Sequence, residues 1–420
     1  MNSMRVAIVT GNASMRMGGE ASLPFYYFKL MLDRGIDVWM ICHDRVREEL
    51  REAFRDEHFQ KIRFVEDTGL QIMIWRLSQG LPGRIRDLIF GQWLHSIAQR
   101  QAREVVKQAI AQQGIQIVFE PAPITPKGLS FMYDLGVPVV IGPLCGGLEF
   151  PPAFRYMDSR LSQVTIAAGR FLSAIAHQLV PGKLQAEALI AANKRTAEAL
   201  PKGYKGKLYY VVESGVDLAI WKPIERSECD RDQPVRFVYS GRFVDWKGVK
   251  FLVSAFQQVA QQTNSILELI GDGELRGEIE AQVVALNIKD KVNFHGWMAR
   301  EDSAAIVRAA DVFVMPSLRE CGGTALLEAM ALGLPVVATN WAGPAEYVDS
   351  SCGILVEPSS PEEFANNLAA AMVRLAASPE LRAQMGKAGT QRVTQHYFDW
   401  ESKTDRAIEI FQEILVIANS

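Results

Sequence analysis

Val312-Phe-Val-Met315-Pro-Ser-Leu-Arg-Glu320-Cys-Gly322-Gly323-Thr324-Ala-Leu-Leu-Glu328-Ala-Met-Ala-Leu-Gly333-Leu-Pro335-Val-Val-Ala338 reads as a strand, a glycine loop, a helix and a second strand. Both strands are apolar at every position, as strands covered on both faces of a parallel sheet are. The same alternation extends in both directions. Further strands are predicted at Val6–Thr10, Asp37–Cys42, Ile62–Val65, Ile115–Phe119, Pro138–Ile141, Leu189–Ala192 and Leu208–Val212, then at Val235–Ser240, Ile266–Ile270, Val292–His295 and Gly353–Val356. Helical patterns separate them, so the fold class is α/β: two doubly wound, Rossmann-like domains in tandem.

The polar stretch Trp221-Lys-Pro-Ile-Glu-Arg-Ser-Glu-Cys-Asp-Arg-Asp-Gln-Pro234 separates the two series and reads as a linker. The predicted division is residues 1–217, 218–398 and a terminal helix in 399–420. Helices are expected near Pro361–Ala376, Pro379–Tyr397 and Trp400–Ile417, the last with no strand left to cover in its own domain.

A chain of 420 residues with 48% apolar and 22% charged residues excludes a disordered, collagenous or coiled-coil protein. The net charge of −3 hides a gradient: residues 1–206 hold 25 Lys and Arg against 19 Asp and Glu, residues 207–420 hold 20 against 29. Neither balance argues for nucleic-acid binding. Cys42, Cys145, Cys229, Cys321 and Cys352 are odd in number and scattered, which speaks against a disulfide framework or zinc site and for a reducing compartment. The start lacks a signal-peptide pattern, and the longest apolar run, Val164–Val180, is broken by Arg170 and His177. A soluble, cytoplasmic protein is expected. From Leu70 to Trp93 arginines alternate with Leu, Ile, Phe and Trp, a pattern that serves either a core helix with a basic face or contact with the inner face of an anionic membrane.

Four motifs carry chemistry. Glu320 falls at the carboxyl end of a strand, where open α/β sheets bind ligands, and Gly322, Gly323 and Thr324 open the next helix with amides available to phosphate. Glu328 is the one charge in Ala325-Leu-Leu-Glu328-Ala-Met-Ala-Leu, so it is either half-buried with a partner or lines a polar site. Gly241-Arg242-Phe-Val-Asp-Trp-Lys247-Gly248 brings two cations to the same sheet edge, suited to a diphosphate. Gly271-Asp-Gly273 resembles a dinucleotide fingerprint but follows the second strand of its domain, which favours a glycine-lined loop beside a nucleotide. In the first domain Met17-Gly18-Gly19-Glu20 and Gly142-Pro-Leu-Cys-Gly146-Gly147 follow strands and are expected to line a phosphate or acceptor loop across an inter-domain cleft. His43, His58, His95, His177, His295 and His396 form no zinc motif. Asp230-Arg-Asp232 matches a metal-binding D-x-D pattern but sits in the linker, so no metal is expected.

Taken in order, Gly241-Arg242, Lys247-Gly248, Gly271-Asp-Gly273, Phe294-His-Gly296, Ala310-Asp311, Glu320 and Glu328 eight apart, and Gly333-Leu-Pro resemble a GT-B glycosyltransferase of family 4, the group 1 glycosyltransferases. The likeness spans the second domain and reaches Gly18-Gly19-Glu20 and Glu213-Ser-Gly215-Val216-Asp217 in the first. It implies retaining transfer of a sugar from a UDP- or GDP-linked donor to a hydroxyl of a glycan or lipid-linked acceptor, with neither metal nor cofactor. Arg242 and Lys247 would hold the diphosphate, Gly322, Gly323 and Thr324 would complete its cradle, Glu328 would bind the ribose and Glu320 would lie near the donor sugar. The terminal helix would cross back to the first domain. Two departures stand out: Glu320-Cys-Gly-Gly stands where many members have Glu-Gly-Phe-Gly, and Glu120 falls in the neighbourhood where many members carry a first-domain histidine. An epimerase on the same architecture, or more remotely a nicotinamide oxidoreductase, are the competing readings.

Overall fold

In the computed structural model, which describes residues 4–78, 92–158, 173, 175–223 and 233–419, the strands form two separate, wholly parallel sheets. The first contains β1 (Arg5–Val9), β2 (Asp37–His43), β3 (Ile62–Val65), β4 (Ile117–Glu120), β5 (Val139–Leu144), β6 (Ala188–Ala191) and β7 (Lys207–Tyr210) in the order β3-β2-β1-β4-β5-β6-β7. The second contains β8 (Val235–Ser240), β9 (Ser265–Ile270), β10 (Val292–Gly296), β11 (Val312–Met315), β12 (Val336–Thr339) and β13 (Gly353–Val356) in the order β10-β9-β8-β11-β12-β13. Each predicted strand is present, with ends shifted by at most three residues. Central strands are buried along nearly their whole length, as in β11, where Val312, Phe313, Val314 and Met315 are all inaccessible.

The helices used below are α1 (Gly19–Asp33), α2 (Gly69–Ser78), α3 (Gln92–Gln113), α4 (Val249–Gln262), α5 (Arg276–Ala285), α6 (Arg300–Ala309), α7 (Thr324–Ala331), α8 (Pro361–Ala377), α9 (Pro379–Gln395) and α10 (Trp400–Asn419). Among the described residues no helix is long and apolar enough to cross a membrane.

The chain divides into two units. One comprises Met1–Gly147, Val164–Glu213 and Trp400–Ser420, the other Leu148–Gln163 and Ser214–Asp399. The expected boundary at residue 217 therefore needs an amendment: the segment from Leu148 belongs with the second sheet. Fully buried Phe154 sets its ring 5.5 Å from Phe251 and 5.9 Å from Phe364, on the faces of α4 and α8. A loop supplying two aromatics to a distant core leaves no periodicity to read. Most of the expected linker and of Val164–Val180 lies outside the described residues.

In the second unit α4 and α8 cover one face of the sheet, with Phe256, Phe364, Leu368 and Met372 in the core. In the first unit α10 joins the core through α1. Trp400 stacks on Tyr26 at 4.6 Å, Phe411 meets Phe119 edge-on at 4.9 Å, and Arg34 pairs with Asp405 and Glu401 at 2.5 and 2.8 Å. Truncating the buried Phe411 to Ala is expected to cost about 3–5 kcal/mol and to lower the thermal transition of the first unit. Calorimetry checks this, and an unchanged transition refutes the docking of α10.

Candidate active site

Each sheet reverses its strand order at one point, between β1 and β4 in the first and between β8 and β11 in the second. Ligands of doubly wound sheets bind where the loops at such a point diverge beyond the carboxyl ends of the strands. In the second unit those loops carry Arg242 to Gly248 and Pro316 to Gly323.

The two loops are pinned together by their backbones. The Leu318 amide donates to the Trp246 carbonyl at 2.8 Å. Gly248 has φ +69°, and a Cβ there would lie 2.1 Å from the Pro316 carbonyl oxygen, so neither the turn nor the approach admits a side chain. The pinning brings the Lys247 ammonium into hydrogen-bond contact with the Glu320 carboxylate, both side chains being largely buried. Beneath them Tyr239, buried and donating its hydroxyl to the Arg242 carbonyl at 3.1 Å, has its pKa driven well up by burial and then by the Glu320 charge. Arg242 itself is exposed.

Eight residues after Glu320, Glu328 sits in the second turn of α7 and accepts from Arg300 at 2.8 Å. The first of the alternatives drawn from the sequence holds: it is mostly buried and has a partner. Burial raises its pKa, opposed by the Arg300 charge and hydrogen bond. Gly323 caps α7 in the left-handed region, and the first amides of α7 lack intrahelical acceptors by helix geometry. The Thr324 hydroxyl donates to Ser214 Oγ at 3.4 Å, and the Gly343 amide donates to the Glu320 carbonyl at 3.1 Å, fixing the loop from behind.

The neighbouring strand ends are tied in series. The Gly241 amide donates to Ile270 and the Gly271 amide to the Gly296 carbonyl at 2.7 Å. A Cβ on Gly271 would lie 1.9 Å from the Gly241 carbonyl oxygen. Gly271 and Gly273 thus serve close packing of two loops, which accounts for a fingerprint-like spacing after the wrong strand. Trp297, directly after Gly296, is strongly exposed.

In the first unit Gly18 caps α1 and Gly19 opens it. Glu20 accepts from the Ile124 amide at 3.1 Å, the Ile124 carbonyl accepts from Cys145 at 2.7 Å, and the Gly146 amide donates to Thr196 Oγ1 at 3.2 Å. Gly18, Gly19, Gly146 and Gly147 therefore border loops joined through residue 124. Glu49 holds the preceding loop, accepting from Ser14 Oγ at 2.6 Å and the Met15 amide at 2.7 Å. Glu120 is buried at the end of β4 and accepts from Gln99 at 2.8 Å; burial raises its pKa, while Ser130, Lys183 and Gln99 oppose the rise. Lys183, pushed down to about 8 by burial, donates to the Thr125 carbonyl at 2.6 Å, so this buried pair braces the loop after β4.

Sequence reasoning missed Arg300, Tyr239, Gly343 and Glu49. Only Gly343 left a signal, in Ala342-Gly-Pro344 after a strand. Asp230 and Asp232 lie outside the described residues.

Residues 223–392 match the family model Glycosyl transferases group 1. Its span lies within the unit that holds the Lys247–Glu320 and Arg300–Glu328 pairs. The chain is 32% identical over 189 residues to the lipopolysaccharide core biosynthesis glycosyltransferase LpsE of Rhizobium meliloti, covering 44% of this chain and 53% of that protein. It is 30% identical over 274 residues to the D-inositol 3-phosphate glycosyltransferase of Segniliparus rotundus, covering 61% and 59%. The chain thus spans less than two thirds of the length of either relative. Among solved structures, Anabaena HepE in complex with UDP superposes over 98% of this chain and all of that one, at 17% identity and a TM-score of 0.63. The fold is GT-B, built of two Rossmann-like parallel-sheet units.

An ionised carboxylate with a raised pKa costs folding free energy above its ordinary value of 4.5 and nothing well below it. Arg300→Met raises the Glu328 pKa further. The variant is therefore expected to melt close to wild type near pH 4.5 and increasingly below it as the pH rises toward about 7.5. Adding Glu328→Gln should remove the pH-dependent part of the gap. Thermal unfolding across pH checks this, and a pH-independent gap refutes the coupling.

Proposed function

We propose that the protein is a family 4 retaining glycosyltransferase that moves a sugar from a UDP- or GDP-linked donor to a hydroxyl of a glycan or lipid-linked acceptor, without metal or cofactor. The observation that carries this reading is the Lys247–Glu320 pair at the switch point of the second sheet, with Arg242 on the same loop and the start of α7 beside it. The leaving group of such a transfer is a nucleoside diphosphate whose negative charge grows in the transition state. Fixed cations and amide dipoles aimed at it stabilise the transition state more than the ground state.

In this reading a diphosphate competes with Glu320 for the Lys247 ammonium while Arg242 closes from the exposed side. Glu320, released, turns its carboxylate to the hydroxyls of the donor sugar. Glu328 accepts from the ribose hydroxyls, and the Arg300 charge and hydrogen bond oppose the rise of its pKa on burial. The bond from the anomeric carbon to the phosphate oxygen breaks and the bond to the acceptor oxygen forms on the same face. The acceptor proton passes to the departing phosphate, so the configuration is retained and no protein base is needed. The first unit, with Gly18, Gly19, Gly146 and Gly147 at its sheet edge, would hold the acceptor. The matching region of a group 1 family model and the UDP bound by HepE support a nucleotide-sugar donor.

Release of nucleoside diphosphate from a panel of nucleotide sugars, with and without acceptor, tests the reading. Release is expected only with acceptor, unchanged by EDTA, with the anomeric configuration of the donor kept in the product by NMR. Lys247→Ala and Glu328→Ala are each expected to lower the rate about 100- to 1,000-fold with melting temperatures above the assay temperature. Wild-type rates in both variants sink the assignment, and interconversion of sugars without diphosphate release identifies an epimerase instead.

A further inference from the structure

The helix α2 is laid against the first unit with its polarity reversed. Gln71 and Ser78 are its buried residues, whereas Leu70, Met73, Trp75 and Leu77 are each at least half exposed and Ile72 is 41% exposed. Gln71 is engaged locally, accepting from the Thr68 amide and hydroxyl at 2.8 Å, and the Ser78 hydroxyl donates to the Trp75 carbonyl at 2.7 Å. At 100° per residue Arg76 lies at the centre of the outward face, flanked by Ile72 and Met73. Trp93, near the start of α3, which packs against α2, is 66% exposed. Leu70, Ile72, Met73 and Leu77, four large apolar side chains on ten residues, form a patch turned to solvent.

Charge selects the occupant. From Gly69 to Arg103 the sequence holds five arginines and one acid, Asp87, and α2 itself has no acidic residue. At the foot of the helix Asp67 is engaged by His43 at 3.1 Å and Glu66 lies 3.8 Å from Arg47. A second copy of the chain docking symmetrically through α2 would set Arg76 against its own equivalent with no carboxylate on either helix to pair it. A bilayer with anionic headgroups accepts both the apolar side chains and the arginines.

We propose that the outward face of α2, with Trp93, is a docking surface for an anionic lipid bilayer. The helix lies in the headgroup boundary, its leucines, methionine, isoleucine and tryptophan entering the acyl edge while Arg76 and Arg100 meet lipid phosphates. This inference stands on the geometry of the first unit and does not depend on the transferase reading.

The test is co-sedimentation of the full chain with vesicles of phosphatidylcholine alone or mixed with phosphatidylglycerol. The wild type is expected to bind the mixed vesicles at least tenfold better than the neutral ones, less so at raised salt. The double variant Met73→Glu, Leu77→Glu, altered only at exposed positions, is expected to lose at least tenfold in binding with its melting temperature unchanged. Arg76→Glu is expected to abolish the preference for phosphatidylglycerol. Binding to neither vesicle, equal binding to both, or retained binding by the double variant overturns the proposal. So does a wild-type dimer that the double variant dissociates, which would assign the face to a second copy.

Discussion

The site of the second unit rests on one contact between opposite charges, Lys247 with Glu320, half-sheltered where the sheet reverses its strand order. Withdrawing an ammonium and a carboxylate from water is costly, and the cost is recovered only when the two are held in good geometry. Two loops from strands adjacent in space but far apart in sequence must therefore be fixed before the side chains can pair. The backbone does this, through the Leu318 amide on the Trp246 carbonyl and the side-chain-free approach of Gly248 to Pro316. Removing either charge leaves the other sheltered without its partner. Glu320 is thus a structural partner that Lys247 depends on.

The remaining glycines extend the same constraint sideways. Gly241, Gly271 and Gly296 terminate three neighbouring strands whose ends continue to hydrogen-bond beyond the sheet, so the floor of the site is sheet-like in rigidity although its chain is loop. In the first unit the corresponding edge is held by side chains: Glu20 on the Ile124 amide, Glu49 on Ser14 and Met15, and Lys183 on the Thr125 carbonyl. Backbone ties fix the second edge independently of side-chain identity, whereas the first edge depends on which side chains stand there.

The strands were legible because a parallel sheet covered on both faces demands unbroken apolar runs, and those runs are local. The carboxylates and cations were legible as well, since Glu320, Glu328, Arg242 and Lys247 stand out against the glycines and apolar residues around them. What could not be read is what depends on a partner distant in sequence. Arg300 acquires its meaning only from Glu328, 28 residues on, and nothing in Arg300-Glu-Asp distinguishes it from any charged helix start. Phe150 and Phe154 read as part of the first domain because they follow its fifth strand, yet both are buried in the core of the second unit, Phe154 against α4 and α8. The stretch from Leu70 to Trp93 was legible as amphipathic, but not which way its first part, α2, faces. Local hydrogen bonds of Gln71 and Ser78 make the polar side tolerable inward, and periodicity does not report them.

Electrostatics closes the comparison between the two halves. Residues 207–420 carry 20 Lys and Arg against 29 Asp and Glu, so at long range this half repels an anion. At physiological ionic strength that repulsion fades over about 8 Å, and the groups within reach of a ligand decide the outcome. Those groups are two carboxylates, Glu320 and Glu328, each held by a cation from a different element, with the exposed Arg242 in addition. The paired four are neutral and cost less to shelter than two unpaired cations would. Two paired carboxylates beside one exposed arginine thus let an acidic unit present a cation at its switch point without a standing patch of positive charge.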